Sequence, residues 1–199
     1  METSILELFS KRHSFYDINN MVIPDKTHIT DIIKKCLELY PSSFNTQSAR
    51  LMLLFNKEHQ KFWNLVEDEL LKNSPKDKTE AIKKRIASFA KGYGTILFFD
   101  DTDVVHELEK KMPLYAKNFK NWSTQSNAIL QFMIWSALAD NNIGASMQHY
   151  NPLIDNAVRK AFDIPKNWEF VAQMPFGGIE ISPAPHTFEH IESKLIIRS

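Results

Sequence analysis

The sequence contains little cysteine, little glycine and no excess of charge of either sign. Its 199 residues include 1 cysteine and 5 glycines, and 24 Lys+Arg are balanced by 24 Asp+Glu. A lone cysteine excludes an internal disulfide and suits a reducing compartment, so we expect a cytoplasmic location. A formal net charge of zero supplies no general cationic field for a phosphate backbone or an anionic membrane surface. Neither nucleic acid nor a membrane is therefore an expected partner.

Export signals and membrane-length apolar runs are also absent from the sequence. Residues 1–7 carry acidic side chains where a secretory signal has a basic region followed by an apolar stretch. The longest apolar run, residues 128–139, is interrupted by Gln131 and Ser136 and falls short of the about 20 residues that cross a bilayer. Because nearly every face of this segment is apolar, we expect a helix surrounded by protein on all sides.

The remaining sequence predicts one domain spanning residues 1–199. A chain of this length with 43% hydrophobic residues can bury a sizeable core without disulfides or a structural metal. Segments with helical and strand-like patterns alternate without repeats, which predicts an α+β or α/β domain with a mixed sheet. Helices are predicted at 4–11, 27–40, 58–72, 79–91, 104–111, 123–142 and 152–162. Strands are predicted at 51–55, 95–99, 144–147, 169–173 and 195–197, with a turn at 175–178.

Several familiar phosphate, nucleophile and metal motifs do not fit the sequence. The glycines in 92–94 lack the third glycine of a dinucleotide-binding loop and precede a strand, and no Walker A or G-x-S-x-G motif occurs. Asp101 and Asp103 begin like a calcium loop but lack its later glycine and glutamate, so we interpret them as helix caps. His186 and His190 have the spacing of a helical metal pair, but nearby prolines oppose a helix and no third ligand is evident.

Two further features have alternative interpretations. Cys36 lies on the apolar stripe of the predicted helix 27–40, where a small buried packing residue is a better interpretation than a nucleophile. The run Lys83-Lys84-Arg85 is either a solvated helix face or part of a site for an anionic small molecule. The sequence does not separate these two roles of the basic run.

Three short segments carry the most informative chemistry. Arg12-His13-Ser14 follows the first predicted helix, Pro41-Ser42-Ser43-Phe44-Asn45-Thr46-Gln47 follows the second, and Gln148-His149-Tyr150 follows the long apolar helix. The first two match the motifs R-R/H-S and P-S-S-x-N-x-Q, and in this order and separation the chain resembles the FMN-dependent nitroreductase superfamily. Segments 94–99, 148–152 and 173–177 are further similar to the branch of the fatty-acid-repression-mutant and copper-induced nitroreductases.

The resemblance implies a homodimer with a three-layer α+β fold, a mixed central sheet flanked by helices, and two FMN sites shared by both chains. The FMN-binding residues that it implies are Arg12, His13, Ser14, Ser42, Ser43, Asn45, Gln47, Gln148, His149 and Tyr150. Arg12 suits the phosphate, because a charged fork forms stronger hydrogen bonds than neutral donors. The neutral side chains of 42–47 suit hydroxyls and ring carbonyls, and segment 148–150 is the expected source of a backbone donor to flavin N5. The alternatives are turn chemistry for the loop and plain packing for His149 and Tyr150.

The cationic part of the implied site departs from the family pattern. Lys84 or Arg85 could place positive charge near reduced flavin, although their spacing does not match the pattern cleanly. Many family members carry a P-K-x-R motif near the C-terminus, whereas residues 185–188 contain no Lys or Arg here. Lys194 or Arg198 is a candidate replacement, and weaker phosphate binding is the alternative.

The resemblance implies an FMN-dependent oxidoreductase that takes electrons from NAD(P)H and passes them to a nitroaromatic or quinone acceptor by a ping-pong mechanism. FMN would carry the redox chemistry, so no acid–base residue is expected to be essential. A non-catalytic FMN-binding protein of a stress-response or sensor type is the alternative. A helical interaction domain without a cofactor is a third possibility, which the yellow colour of bound FMN would exclude.

Overall fold

A computed structural model describes residues 4–184, 187 and 189–198 of the chain. Its α-helices are α1 (Ile5–Lys11), α2 (Lys26–Leu39), α3 (Asn56–Asn73), α4 (Thr79–Ala90), α5 (Thr102–Lys111), α6 (Ala116–Asp140) and α7 (Asp155–Ala161). Its strands are β1 (Ile18–Asn19), β2 (Ala49–Phe55), β3 (Gly94–Asp101), β4 (Gly144–Ala145) and β5 (Trp168–Ile179). Short 3-10 helices span Ser43–Asn45, Lys76–Lys78, Pro113–Tyr115 and Ile191–Ser193. The predicted helices are confirmed, although α6 begins 7 residues earlier than expected.

The strands form one sheet with β5 and β3 at its centre. The strand order is β1-β5-β3-β2, and the short β4 also pairs with β5. Strand β3 pairs antiparallel with β2 on one side and with β5 on the other. Both β1 and β4 are antiparallel to β5. The parallel part of the predicted mixed sheet is limited, among the described residues, to an isolated bridge between Ser14 and Ala145.

Helices cover both faces of the sheet and produce three layers. On one face, Ile96 and Phe98 of β3 pack with buried side chains of α2 and α6, and Cys36 belongs to this core. On the other face, Leu97 and Phe99 pack with buried side chains of α3, α4 and α7. Alternate residues of β3 therefore serve opposite cores, as expected for a strand covered on both faces. The α+β fold with three layers is confirmed, and burial raises the pKa of the Cys36 thiol, in keeping with a packing role.

Side-chain caps explain where several helices begin. Ser4 and Glu7 form a reciprocal capping box at the start of α1, and Asp25 accepts a backbone hydrogen bond in the first turn of α2. Asp101 accepts a hydrogen bond of 3.2 Å from the backbone N–H of Asp103 at the start of α5. The interpretation of Asp101 as a helix cap is therefore confirmed.

The predicted turn at 175–178 is wrong, because these residues continue strand β5 to Ile179. Pro175 needs no amide partner there, and its carbonyl accepts a hydrogen bond of 3.3 Å from the backbone N–H of Ser146. A Cβ atom at Gly177 would collide with the backbone carbonyl of Asn19 in β1. Glycine therefore permits two strands to approach closely instead of reversing the chain. The predicted strand 195–197 is also wrong, since this exposed segment pairs with none of the described strands.

Helix α6 has an exposed face, which corrects the expectation of a helix surrounded by protein on all sides. Leu130 and Leu138 are fully buried against the sheet, whereas Ile129 and Phe132 are 44% and 38% exposed. Phe9 of α1 packs beside Phe132 with ring centroids 5.0 Å apart and is itself partly exposed. The apolar outer face of α6 therefore continues onto α1. Length and apolar content together exclude a membrane-crossing helix among the residues described.

Candidate functional site

The segment after α1 is fixed against the C-terminal half of α6 by Trp135. The ring nitrogen of Trp135 donates hydrogen bonds to the backbone carbonyls of His13 at 3.2 Å and Ala145 at 3.1 Å. The guanidinium carbon of Arg12 lies 4.4 Å from the centroid of the Trp135 ring. Stacking on this ring orients the guanidinium without using its hydrogen-bond donors. Trp135 was missed from the sequence, because it looks like one more apolar position of α6.

Backbone pairing brings the first and third informative segments to the same edge of the sheet. Ser14 forms a parallel bridge with Ala145, and the backbone N–H of Phe15 donates to the Ala145 carbonyl at 3.0 Å. Beyond β4, Gln148 and Gln173 of β5 exchange backbone hydrogen bonds of 2.8 and 3.1 Å. The first segment therefore lies beside β4, and the third begins directly after it.

Arg85 of α4 is the basic residue directed toward this edge. Its guanidinium carbon lies 4.7 Å from the ring centroid of Tyr16, which follows the Arg12-His13-Ser14 segment. Burial raises the pKa of the Tyr150 phenol, and the positive charge of Arg85 acts in the opposite direction. Lys84 is exposed and lines, with Arg85 and Tyr16, a cavity of about 430 Å³. Of the two cations that the sequence left open, Arg85 is the one that stacks against the segment.

Arg12 and Arg85 differ from the neighbouring Lys11 in whether they pair with a carboxylate among the described residues. Neither Arg12 nor Arg85 forms an ion pair with the part of the chain that the structure describes. Lys11, by contrast, is paired with Asp140 at 3.2 Å. The Arg12 guanidinium stacks on Trp135, and the Arg85 guanidinium stacks on Tyr16, so the two groups lie at opposite ends of residues 12–16, called segment 12–16 below. Their hydrogen-bond donors are available to an anionic ligand.

The remaining predicted residues of this edge differ in exposure. His149 is exposed, whereas Tyr150 is half-buried with its ring centroid 6.2 Å from that of Trp63. The side-chain amide of Gln148 donates to the hydroxyl of Ser146 at 3.1 Å. His149 is therefore accessible to a ligand from solvent, whereas the Tyr150 ring packs against Trp63 in the core.

The polar loop of residues 41–48 lies at the other end of α6. The backbone N–H of Ser43 donates to the hydroxyl of Ser126 in the N-terminal half of this helix at 3.3 Å. Ser126 and Trp135 are 9 positions apart in α6, which is about 14 Å along a helix axis. A single chain therefore gathers the predicted loop residues with one another and holds them against a different part of α6 from the Arg12 segment.

Unusual backbone conformations shape the 41–48 loop. Phe44, Asn45 and Gln47 have positive φ angles of 54°, 53° and 48°. A non-glycine residue in this left-handed region costs about 1–2 kcal/mol, so contacts around the loop must stabilise it. The backbone N–H of Gln47 donates to the Ser42 hydroxyl at 3.0 Å, and its side-chain amide donates to Asn45 Oδ1 at 2.8 Å. These three polar residues therefore form one network within the chain.

A buried polar network lies against the loop. Asp100 is 4% exposed and accepts hydrogen bonds from the Ser48 hydroxyl at 3.4 Å and the Asn127 side-chain amide at 3.0 Å. Burial raises the pKa of Asp100, and these hydrogen bonds oppose the rise. Gln131, which interrupts the apolar run of α6, donates to Asn127 Oδ1 at 2.9 Å. The polar interruption in the sequence is a signal of this network, whereas Asp100 carries no such signal, because it stands at the end of an apolar strand beside acidic residues that suit helix caps.

The C-terminal segment contains the two candidate replacement cations, Lys194 and Arg198. Lys194 is paired with Glu189 at 2.7 Å, whereas Arg198 is exposed. Three residues of the stretch 185–188, including His186, lie outside the described residues. Within residues 4–184, 187 and 189–198, no three side chains of His, Cys, Asp or Glu come together as a metal-binding group.

Several known proteins that are similar to this chain are nitroreductases. The Nitroreductase family matches residues 10–178. The putative nitroreductase HBN1 of Saccharomyces cerevisiae is 29% identical over 187 residues, which are 92% of each chain. Nitroreductase CinD from Lactococcus lactis in complex with nicotinic acid is 34% identical with a TM-score of 0.91, covering 98% of this chain and 100% of CinD. Its complex with 4-nitrophenol has the same identity and coverage and a TM-score of 0.89. A nitroreductase with bound FMN from Desulfitobacterium hafniense, 19% identical over 100% of both chains with a TM-score of 0.73, shows likeness of fold alone.

Proposed function

The chain belongs to the nitroreductase family, and from that premise we propose that it is an FMN-dependent oxidoreductase that uses NAD(P)H to reduce a small electron-poor acceptor. The observation that carries the proposal is the pair of guanidinium groups, Arg12 and Arg85, each stacked on an aromatic ring at one end of segment 12–16. The complexes of CinD with nicotinic acid and 4-nitrophenol support a nicotinamide donor and a nitroaromatic acceptor. Quinones have the same electron-poor character, and we include them among the proposed acceptors.

The residues present fit FMN by the chemistry of their donors. Arg12, with the Ser14 hydroxyl and His13 on the same segment, suits a phosphate dianion, because a guanidinium fork forms two charge-assisted hydrogen bonds. Arg85 suits the negative charge that the flavin ring carries when it is reduced. The side chains of the 42–47 loop are neutral and offer both donors and acceptors, as ribityl hydroxyls and ring carbonyls require. FMN, when bound, supplies the two-electron chemistry that no side chain of the protein provides.

The chain's own residues bind and orient. Arg85 would hold positive charge near a bound flavin ring, which would favour the reduced state of the ring. Tyr150 is fixed by packing against the fully buried ring of Trp63. His149, exposed beside Tyr150, shapes the acceptor pocket without acting as a proton donor. The electron donor and the acceptor would occupy the same site in turn, which would give ping-pong kinetics.

A second copy of the chain completes the proposed site. The 41–48 loop and the Arg12 segment contact different parts of α6, which supports a site shared by two chains. In a homodimer, the loop of one copy can meet the Arg12 segment of the other. The surface available for this contact is the apolar outer face of α1 and α6, formed by Ile5, Leu6, Phe9, Ile129 and Phe132. Its burial against a second copy would supply the hydrophobic free energy of association.

The absorbance spectrum of the purified protein, followed by anaerobic reduction, tests the proposed function. We expect a yellow protein whose flavin absorbance is bleached by NADH or NADPH and returns when a quinone or nitroaromatic compound is added. Bound FMN that neither nucleotide can reduce would instead favour the non-catalytic flavin-binding alternative. A protein that binds no FMN after incubation with it would reject the proposal.

A further inference from the structure

Arg50, at the start of β2, joins the 41–48 loop to strand β3. Its guanidinium donates hydrogen bonds to the backbone carbonyls of Gln47 at 2.9 Å and Ala49 at 3.1 Å. A second nitrogen of the same group donates to the Asp101 carboxylate at 2.9 Å. The side chains of Arg50 and Asp101 are 31% and 10% exposed, so this ion pair is largely shielded from solvent. A single side chain thus connects the end of the loop to the sheet.

Asp101 is a fixed anchor for Arg50. One of its carboxylate oxygens accepts hydrogen bonds from the backbone N–H of Asp103 at 3.2 Å and from the side-chain amide of Asn167 at 2.8 Å. The other oxygen is the one that binds Arg50. The backbone N–H of Asp101 donates to the carbonyl of Ser48 at 2.9 Å. The anchor is therefore held by the start of α5, by the residue before β5 and by the loop itself.

Gln47 connects Arg50 to the polar side chains that the loop would present to a ligand. Its carbonyl accepts from Arg50, its backbone N–H donates to Ser42, and its side-chain amide donates to Asn45. Its own φ of 48° is a conformation that a free glutamine rarely adopts. Loss of the Arg50 contact would therefore release Gln47, and with it Ser42 and Asn45, to other conformations.

We propose that Arg50 is a positioning residue for cofactor binding, which keeps the 41–48 loop in its binding conformation before FMN arrives. This role rests on the proposed FMN site. A preformed loop does not have to be ordered on binding, and the apparent affinity falls in proportion when only a fraction of molecules is competent. Arginine is needed because its planar group reaches two carbonyls and a carboxylate at once, whereas a lysine ammonium cannot span the same set.

Substitution of Arg50 in the full-length protein tests this role. We expect Arg50→Met to raise the FMN dissociation constant about tenfold, mainly through slower association, because fewer molecules hold the competent loop. Hydrogen exchange at the amides of 41–48 in the FMN-free protein should become faster. Arg50→Lys should recover part of both effects. Lys120→Met, which removes the cation of the exposed 2.9 Å pair with Glu169, is the matched control and should change neither quantity.

Several outcomes would overturn the positioning role. An unchanged FMN affinity in Arg50→Met would do so, and so would a lower melting temperature with unchanged affinity, which would indicate a merely structural ion pair. Weaker FMN binding without faster exchange in the loop would also contradict the role. If Arg50→Met does not fold, Arg50→Lys gives the same readouts with a smaller expected change of about threefold. A parent protein that binds no FMN would reject the proposed function itself, which separates the two failures.

Discussion

The two ends of α6 carry opposite kinds of chemistry. At its C-terminal end, Arg12 stacks on an aromatic ring and forms no ion pair within the described residues. At its N-terminal end, charge is used inside the protein, because Arg50 pairs with Asp101 and Asp100 is buried against the loop. The exposed side chains of the 41–48 loop carry no charge, and those of Asn45 and Gln47 are amides.

The difference between the two ends matches the two kinds of group in FMN. A phosphate needs a cation that has no other partner, whereas hydroxyls and ring carbonyls need neutral donors and acceptors at fixed positions. A helix is rigid, so the two ends of α6 cannot approach each other within one chain. Each proposed site therefore combines one end of α6 from one copy with the opposite end from the other copy.

The largest effect is expected from breaking the surface that brings the two ends together. Phe132→Asp places a carboxylate on the apolar outer face, where a second copy would bury it without a partner. We expect the dimer to dissociate at micromolar concentrations and FMN binding to be lost with it, as measured by sedimentation and flavin absorbance. Ile23→Asp, at a 96% exposed position outside α1 and α6, is the control. A monomer that retains FMN would contradict the shared site.

Removal of the Arg12 guanidinium, near the C-terminal end of α6, should have the next largest effect on FMN binding. We expect Arg12→Ala to weaken FMN binding about 10- to 100-fold in a flavin titration, because hydrogen bonds to charged groups contribute about 1.5–3 kcal/mol. Ser14→Ala should weaken binding less, since its hydroxyl is neutral. Lys11→Ala is the matched control, because this lysine is already paired with Asp140. Retention of FMN by Arg12→Ala would show that the phosphate lies elsewhere.

Neutralising the buried carboxylate at the N-terminal end should stabilise the protein. Burial raises the pKa of Asp100 above its ordinary 3.8, so the folded state holds the proton more tightly than the unfolded state does. Ionisation of the buried carboxylate therefore destabilises the folded state. This destabilisation is absent below the unfolded pKa, grows as the pH rises above it, and is complete above the raised folded pKa. We expect Asp100→Asn to raise the melting temperature at pH 7 and to flatten its pH dependence above about pH 4.

Asp31→Asn is the control for Asp100→Asn, because it removes an exposed carboxylate from a surface pair with Lys34. A clear drop in melting temperature for Asp100→Asn would mean that the negative charge itself stabilises the folded state. The Asp100 charge would then stabilise the folded state by attraction to its neighbours, and its burial would not be a net cost.

The smallest effect is expected at exposed His149. His149→Gln should change the KM for a quinone or nitroaromatic acceptor by a few fold, because the side chain shapes the acceptor pocket. Reduction by NAD(P)H should stay largely intact in stopped-flow measurements of the two half-reactions. A large loss in the reductive half-reaction alone would mean that His149 positions the nicotinamide, and intersecting double-reciprocal lines would reject the ping-pong scheme.

Much of the fold could be predicted because periodicity and caps act over a few residues. Asp25 and Asp101 mark helix starts by local hydrogen bonds, and the apolar, β-branched and aromatic run of β3 is visible in its sequence. The turn predicted at 175–178 failed because the reason for Gly177 is a distant contact with Asn19. No local pattern distinguishes a glycine that bends the chain from one that admits a neighbouring strand.

The candidate site could be predicted only in part for the same reason. Motifs indicated Arg12 and the 42–47 loop, but the end of α6 that each one occupies is a property of packing. Lys84 and Arg85 are adjacent in sequence, and only contact with Tyr16 separates their roles. Arg50 gave no signal at all, since it directly precedes the predicted strand 51–55 and its partners lie in the loop and in β3.

Mixed dimers test most directly whether the two ends of α6 meet across two chains. One chain would carry Arg12→Ala and the other both Asn45→Ala and Gln47→Ala, with different affinity tags so that mixed dimers can be isolated. Each variant homodimer should bind FMN weakly. We predict that each mixed dimer binds one FMN with the affinity of the parent protein, because Arg12 of the loop variant meets the intact loop of its partner. If Arg12 and the loop of the same chain formed a site, every site in the mixed dimer would be defective, and the absence of any high-affinity FMN would contradict the shared site.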